Sequence, residues 1–410
     1  MVVGHACLPM SALQGHIPFL NVHYFLRLEM THAKGRTRNR SVRGALFALL
    51  LTSLCSAPLA AADVAGSFVS AGQIAEPANE VSGTPLPDGR VLIFGSWKAQ
   101  VYAPQSSSWE TPITFQGNHF GGTSALLADG RVLVVGTAST SNSPAAEIID
   151  PATSQVVTVA GVVVRRYGAY LMTRADGKVV IWGGFASGTS GPPLSTSEIF
   201  DPITNSISTF SVPVPARWNA ASVKLEDGRY LIAGGSIESG AVQLQAVLYD
   251  PNTNTASSAG PQTRYFLGQS VARLQDGKVL LFGGRVFQNS AFESTDLVEV
   301  YDPQTGVFTA HASMRAKRAY SVTALFPDGK ILIVGGYGWW NEALTSAEIY
   351  DPVTTLFSWV GNNPLHARVG GVAVPIDGGR AVIAGGRDAQ GPLGEAELFI
   401  PDKIMSSSFD

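Results

Sequence analysis

One arginine or histidine recurs ahead of a repeated Asp-Gly. His119, Arg166, Arg217, Arg264, Arg318 and Arg368 each stand ten residues before such a pair, give or take two, and Ala78 holds the place in the first copy. Arginine presents five donors in a rigid fork that suits carboxylate and phosphate groups. Arginines at equivalent points of a ring would converge on one rim and attract anions, even on a negative protein. The alternative is that they brace neighbouring repeats through backbone carbonyls. Trp339 and Trp340, in the stretch YGWWNE (337–342), offer flat faces to sugars or aromatic ligands, or else fold inward as a cover. The stretch RVFQNSAFEST (285–295) carries Phe287 and Phe292 and reads the same way.

Other chemistry finds less support. A zinc or copper site draws on three or four ligands at compatible spacing, whereas His119, His311 and His366 are scattered over different repeats. The recurring aspartates are accounted for by turn formation rather than by a ladder of calcium ligands. There is no Gly-x-Ser-x-Gly, no phosphate-binding loop and no His-Glu-x-x-His. No catalytic residue, metal or cofactor is therefore expected.

The elements that must position these residues come from the repeat itself. Asp-Gly recurs at Asp88, Asp129, Asp176, Asp227, Asp276, Asp328 and Asp377, at spacings of 41 to 52 residues, the signature of a repeat architecture. Each pair sits between two apolar runs, as in LQDGKVLLFGG (274–284), which predicts a hairpin whose two turn residues both take positive φ. The second run ends in Gly-Gly or a relaxed version (Gly95-Ser96, Gly136-Thr137). A third strand closes on Asp-Pro, as in EIIDP, EIFDP, VLYDP, EVYDP and EIYDP, where proline ends the ladder for want of an N–H. A fourth strand then carries Trp109, Val156, Ile207, Phe308 or Phe357, with Ala256 as the exception. Each unit thus reads as four short antiparallel strands.

The Gly-Gly after the second strand, the aromatic before Asp-Pro and the aromatic seven residues later resemble the kelch family of β-propellers over nearly all of residues 65–402. The resemblance implies an all-β fold of four-stranded blades around a central channel. Counting gives a seven-bladed propeller over 63–402, with 403–410 as a short tail. The last unit lacks its fourth strand, and GSF (66–68) aligns with GVF (306–308) at an offset of 240 that also matches Ile74 to Met314 and Asp88 to Asp328. The N-terminal strand should therefore complete the last blade and remove an exposed edge.

The start of the chain is of another kind. A basic stretch (31–43), an apolar run (44–54) and an Ala-x-Ala ending before Asp63 form the pattern of a secretory signal peptide. It points to a start at Met30, cleavage after Ala62 and residues 1–29 as an upstream extension. The apolar run falls short of the ~20 residues a membrane span needs. Residues 1–62 hold six basic and one acidic side chain, so the remainder keeps 22 basic against 30 acidic, a net charge of −8. That balance disfavours general binding to nucleic acid. Cys7 and Cys55 both lie in the removed segment, leaving no thiol for disulfide, ligand or nucleophile.

These readings combine into a secreted or periplasmic protein, expected to be a monomer without a membrane span. It would bind an acidic peptide or glycan on the face built by the loops after Gly-Gly and the links between units. The resemblance adds that arginines at this position contact acidic ligands in several kelch proteins. It also brings two enzymatic precedents. Galactose-oxidase-like relatives depend on copper held by His and Tyr with a Cys cross-linked to Tyr, which a chain without cysteine cannot build. Sialic acid mutarotases need only a carboxylate and an arginine, for which Glu342, Glu293 or Glu238 with a rim arginine are the candidates.

Overall fold

The computed structural model describes residues 66–137, 144–161, 164–186, 192–288 and 291–402. The signal-peptide pattern, Met30, both cysteines and the tail 403–410 lie outside the described residues. Within them the chain is all-β. Its one helical turn is the 3-10 turn Asp377–Gly379, and no helix is long and apolar enough to cross a membrane.

In the sheet carrying each Asp-Gly turn the unit's successive strands pair antiparallel, and the third sheet gains a short parallel edge strand, Ala160–Gly161. In the sixth unit these strands are Val322–Leu325, Ile331–Val334, Ala347–Asp351 and Leu356–Trp359. The last unit is assembled from both ends of the chain: Val372–Ile376, Arg380–Ala384 and Glu395–Pro401 are joined by Gly66–Gln73. Phe68 lies opposite Phe399 in that pairing, with ring centroids 5.3 Å apart. Unit seven's first strand begins at Val372, just after Gly370 and Gly371, which take φ of +68° and +86°, outside the extended range.

The second strands explain the apolar runs. VLIF (91–94), VLVV (132–135), VVIW (179–182), VLLF (279–282) and ILIV (331–334) are buried at every residue. A strand covered on both faces has no polar side to alternate with. The covering comes from neighbouring sheets. One cluster joins Leu92 and Phe94 to Val132 and Val134, another joins Leu332 and Val334 to Ala381 and Ile383, and another joins Val382 and Ala384 to Val91 and Ile93. The last unit therefore packs against the first.

The turns differ from the expected two-residue form. Gly89 alone takes positive φ (+83°), its N–H donating to Leu86 O at 3.0 Å, while Leu86 N–H donates to Arg90 O at 2.9 Å. This is a type I turn closed by a glycine bulge, so Asp88 needs no positive φ. Asp88 instead caps the turn: one carboxylate oxygen accepts Arg90 N–H at 3.0 Å and the other accepts Arg90 Nε at 2.8 Å. Asp129–Arg131 and Asp227–Arg229 repeat that pair, which accounts for the basic residue after Asp-Gly.

Candidate functional site

The repeated arginines do not form a rim. Arg166, Arg318 and Arg368 are wholly buried, as is His119, and Arg217 is 3% exposed. In the sixth unit Arg318 Nε donates to Glu348 Oε1 at 3.0 Å and Nη1 to the carbonyls of Gly335 (2.9 Å) and Ser346 (2.8 Å). Glu348 also accepts the backbone N–H groups of Arg315 and Ala316. The pair thus fastens the segment entering the unit to the third strand. Arg166–Glu198, Arg368–Glu397 and His119–Glu147 do the same work. Burial pulls the pKa of Arg166 and Arg318 below the usual guanidinium range, and burial raises that of Glu198.

Three units depart from the brace. In the first, Ala78 and Gln100 stand at the two places, and Gln100 Oε1 accepts Ala75 N–H at 2.8 Å. In the fourth, Val247 stands where most units carry glutamate, so Arg217 bonds only the carbonyls of Gly234 and Gln245 and its buried Nε has no partner. Desolvation takes its pKa down to about 10. In the fifth, the brace position is Phe266, buried at 1%. Gln262 supplies the bond to Glu299 instead, at 2.9 Å, and Arg264 lies exposed to solvent two residues away. A spacing that allowed two residues of slack admitted an arginine from the wrong place.

The Gly-Gly pairs belong to the same joint. Gly335 takes φ +64°, and a Cβ there would run into the carbonyl oxygen of Arg368 in the next unit. Only glycine permits that approach.

Polar side chains meet two residues beyond the brace. That place is held by Glu80, Gly121, Gly168, Asn219, Gly268, Tyr320 and Gly370. Backbone bonds tie one unit to the next here, from Gly168 N to Gly121 O, Gly268 N to Asn219 O, Tyr320 N to Gly268 O and Gly370 N to Tyr320 O, at 2.8 to 3.1 Å. All but Glu80 take positive φ, Tyr320 among them at +56°. For a bulky residue this costs on the order of 1–2 kcal/mol. The Tyr320 ring covers Gly268, and its hydroxyl accepts Asn219 Nδ2 at 2.8 Å from two units away.

Glu80 keeps open surface, yet protein surrounds its carboxyl. That desolvation raises its pKa, against the opposing pull of the Tyr167 hydroxyl and Arg387. Arg285 lies against Tyr337 and Tyr320, with its guanidinium carbon 5.0 and 5.7 Å from the ring centroids. Arg285 Nη2 donates to Asn341 Oδ1 at 2.6 Å, while its Nε has no partner.

Arg285 also begins a hairpin. Residues 285–295, expected to be a loop, pair as Arg285–Gln288 with Ala291–Ser294 and dock on Phe266–Leu267. The hairpin presents Phe287, 60% exposed, and Phe292. The Arg285–Asn341 bond stitches it to the loop of Trp339 and Trp340. Trp340 is 83% exposed, and Lys317 Nζ sits 3.3 Å from the Trp339 ring centroid. The two tryptophans thus face solvent.

Among the described residues no three His, Cys, Asp or Glu side chains stand close enough to share a metal ion. His119 is committed to Glu147, and His311 to Tyr350 in another unit. The donor set does not fit the copper chemistry of the galactose-oxidase-like proteins.

A kelch motif model matches residues 318–358, the sixth unit from its brace arginine to its fourth strand. No curated protein matches the chain. Among solved structures, it is similar to a fungal alcohol oxidase of the AA5 family determined in complex with copper. The TM-score is 0.64 at 19% identity, covering 82% of this chain and 76% of the oxidase. It is also similar to the protein YjhT, with a TM-score of 0.56 at 16% identity, covering 70% of this chain and 98% of that one. At such identities the likeness is one of fold. Motif, strand order and these neighbours agree on a β-propeller fold of the kelch type, with a kelch motif in the sixth unit.

Proposed function

We propose that this protein is an exported, seven-bladed binding module that takes an acidic glycan on its loop face. The cyclic packing of the sheets, unit seven against unit one, supports the seven-bladed ring. Export rests on the sequence pattern ending at Ala62, and a monomer without nucleic acid or membrane partners rests on composition and charge. The binding reading rests chiefly on Arg285, a half-buried guanidinium set against two tyrosine rings, beside Trp339, Trp340 and Lys317. Aromatic faces stack on sugar rings, and the two cations suit a carboxylate. Arg264 stays with this face as an exposed cation, while the buried arginines and His119 are assigned to the frame.

A glycan array probed with the purified chain tests this reading. Carboxylate-bearing glycans should be retained over their neutral counterparts, and retention of none, or of both alike, would end it.

Glu80 favours a second reading, a sugar-processing activity of the sialic acid mutarotase kind. A carboxyl with a raised pKa, in reach of the Tyr167 hydroxyl, is suited to moving a proton. Of the glutamates expected for that task, Glu342 accepts Trp340 N–H at 2.7 Å within its own loop. NMR of sialic acid anomers with and without the protein decides the point: faster exchange that Glu80→Gln abolishes supports it, and unchanged exchange rejects it.

A further inference from the structure

The units serve as controls for one another, and one core position breaks the pattern. Nine residues after Asp150, Asp250 and Asp351 stand Val159, Ala259 and Val360, all buried and apolar, and nine after Asp201 stands Phe210. Nine after Asp302 stands His311. Its Nε2 is 2.9 Å from the hydroxyl of Tyr350 in the next unit, and the two rings meet edge to face at 5.6 Å. Desolvation lowers its pKa and so favours the neutral ring.

The pair lines a cleft of about 760 Å³ between the outer strand Val307–Ala310 and the turns of the sixth unit. The cleft lies among the Asp-Gly and Asp-Pro turns, on the face opposite the loops. Its walls are apolar, from Leu274, Val300, Val307, Pro352 and Val353. Val307 and Val353 remain 50% and 88% exposed, so nothing among the described residues covers them. Three carboxylates stand around the cleft. Asp276 is paired with Lys278 and Asp328 with Lys330, each at 3.2 Å. Among the described residues Asp302 has no ion-pair partner, in contrast to Asp201 at the equivalent place, which Lys178 meets at 2.9 Å. One Asp302 oxygen accepts Gln304 N–H, and the half-buried carboxylate is part of the cleft wall.

A concavity of this size, mostly apolar with a few convergent polar groups, is the usual form of a small-molecule site. We infer that it binds a small amphipathic amine, with the apolar body along Val300, Val307 and Val353, the ammonium on Asp302, and the His311–Tyr350 pair as a hydrogen-bonding partner. Charge complementarity selects the amine, because Asp302 is the one carboxylate there without a counter-ion among the described residues. This site is independent of the glycan reading on the other face.

Titration calorimetry of the full chain with 2-phenylethylamine, 2-phenylethanol and phenylacetate tests the assignment. The amine should bind about tenfold more tightly than the alcohol, the increment of one charge-assisted bond, and phenylacetate should bind least. Asp302→Asn, a change at a partly exposed residue, should bring the amine to the level of the alcohol. His311→Val, which installs the residue of the sixth unit, should abolish binding of both while melting is kept. Equal affinity for amine and phenylacetate, absence of amine binding, or unchanged binding in His311→Val would overturn the inference.

Discussion

The fifth and sixth units share one strand order and differ in nearly everything chemical. The sixth has the full brace, Arg318 on Glu348, and matches the kelch model along its length. The fifth has Phe266 and Gln262 in that role, an added hairpin, an arginine aimed outward and a histidine in place of core valine. Regularity marks the frame, and departure from it marks the surface free to bind. Repeated arginines attract attention because they are repeated, and for that same reason they belong to the architecture.

The largest expected effect follows from cutting a brace. Arg318→Ala strands Glu348 as a buried charge, which should cost about 3–5 kcal/mol in denaturant unfolding. Arg217→Met strands no carboxylate and should cost under about 2 kcal/mol. Equal losses would erase the distinction between braced and unbraced units. A rim role would instead leave stability intact in both.

Smaller in stability but larger in binding is Arg285→Ala, expected to weaken capture of an acidic glycan about tenfold or more while melting shifts little. Trp340→Ala, at a residue 83% exposed, should alter stability by no more than about 0.5 kcal/mol and still weaken the glycan. A loss of fold in either variant would show that the loops of these two units brace the frame as well.

The smallest effects are those of pH. Glu80 has a raised pKa, so the folded state holds its proton more tightly than the unfolded chain does. Its contribution to stability is complete below 4.5 and declines as pH rises through the folded value. Ionised Glu80 also repels an acidic ligand, so affinity should fall across the same window, and Glu80→Gln should flatten that slope. The turn carboxyls Asp129 and Asp227 run the other way. Their arginine partners hold them below 3.8, so their part is complete above that pH and declines as pH falls through the lowered values. Titration of melting temperature in wild type and Glu80→Gln reads both.

The frame was legible because its signals are local. Asp-Gly, Gly-Gly and Asp-Pro each encode a backbone event, and the pairing of Phe68 with Phe399 could be read from one constant offset. The site was not, because donor type alone does not say whether a guanidinium faces water or a carboxylate. The discriminating letter was present: glutamate in EIIDP, EIFDP, EVYDP and EIYDP supplies the buried partner, and VLYDP lacks it above Arg217. The seven residues two beyond the brace also carried the signal. Four are glycine, so Glu80, Asn219 and Tyr320 stand out once the column is aligned by the seventeen residues that separate each brace from the carbonyl it meets. Arg285 had no column to be compared with, since among the described residues its hairpin belongs to one unit alone.

Glycan-array binding of the wild type, Arg285→Ala and Arg217→Met, run alongside their melting curves, tests the account most directly. The account predicts that acidic glycans bind to wild type and to Arg217→Met and are lost from Arg285→Ala, which melts as wild type does. Undiminished binding by Arg285→Ala, with loss confined to a well-folded Arg217→Met, would return the ligand to the repeated arginines and contradict it.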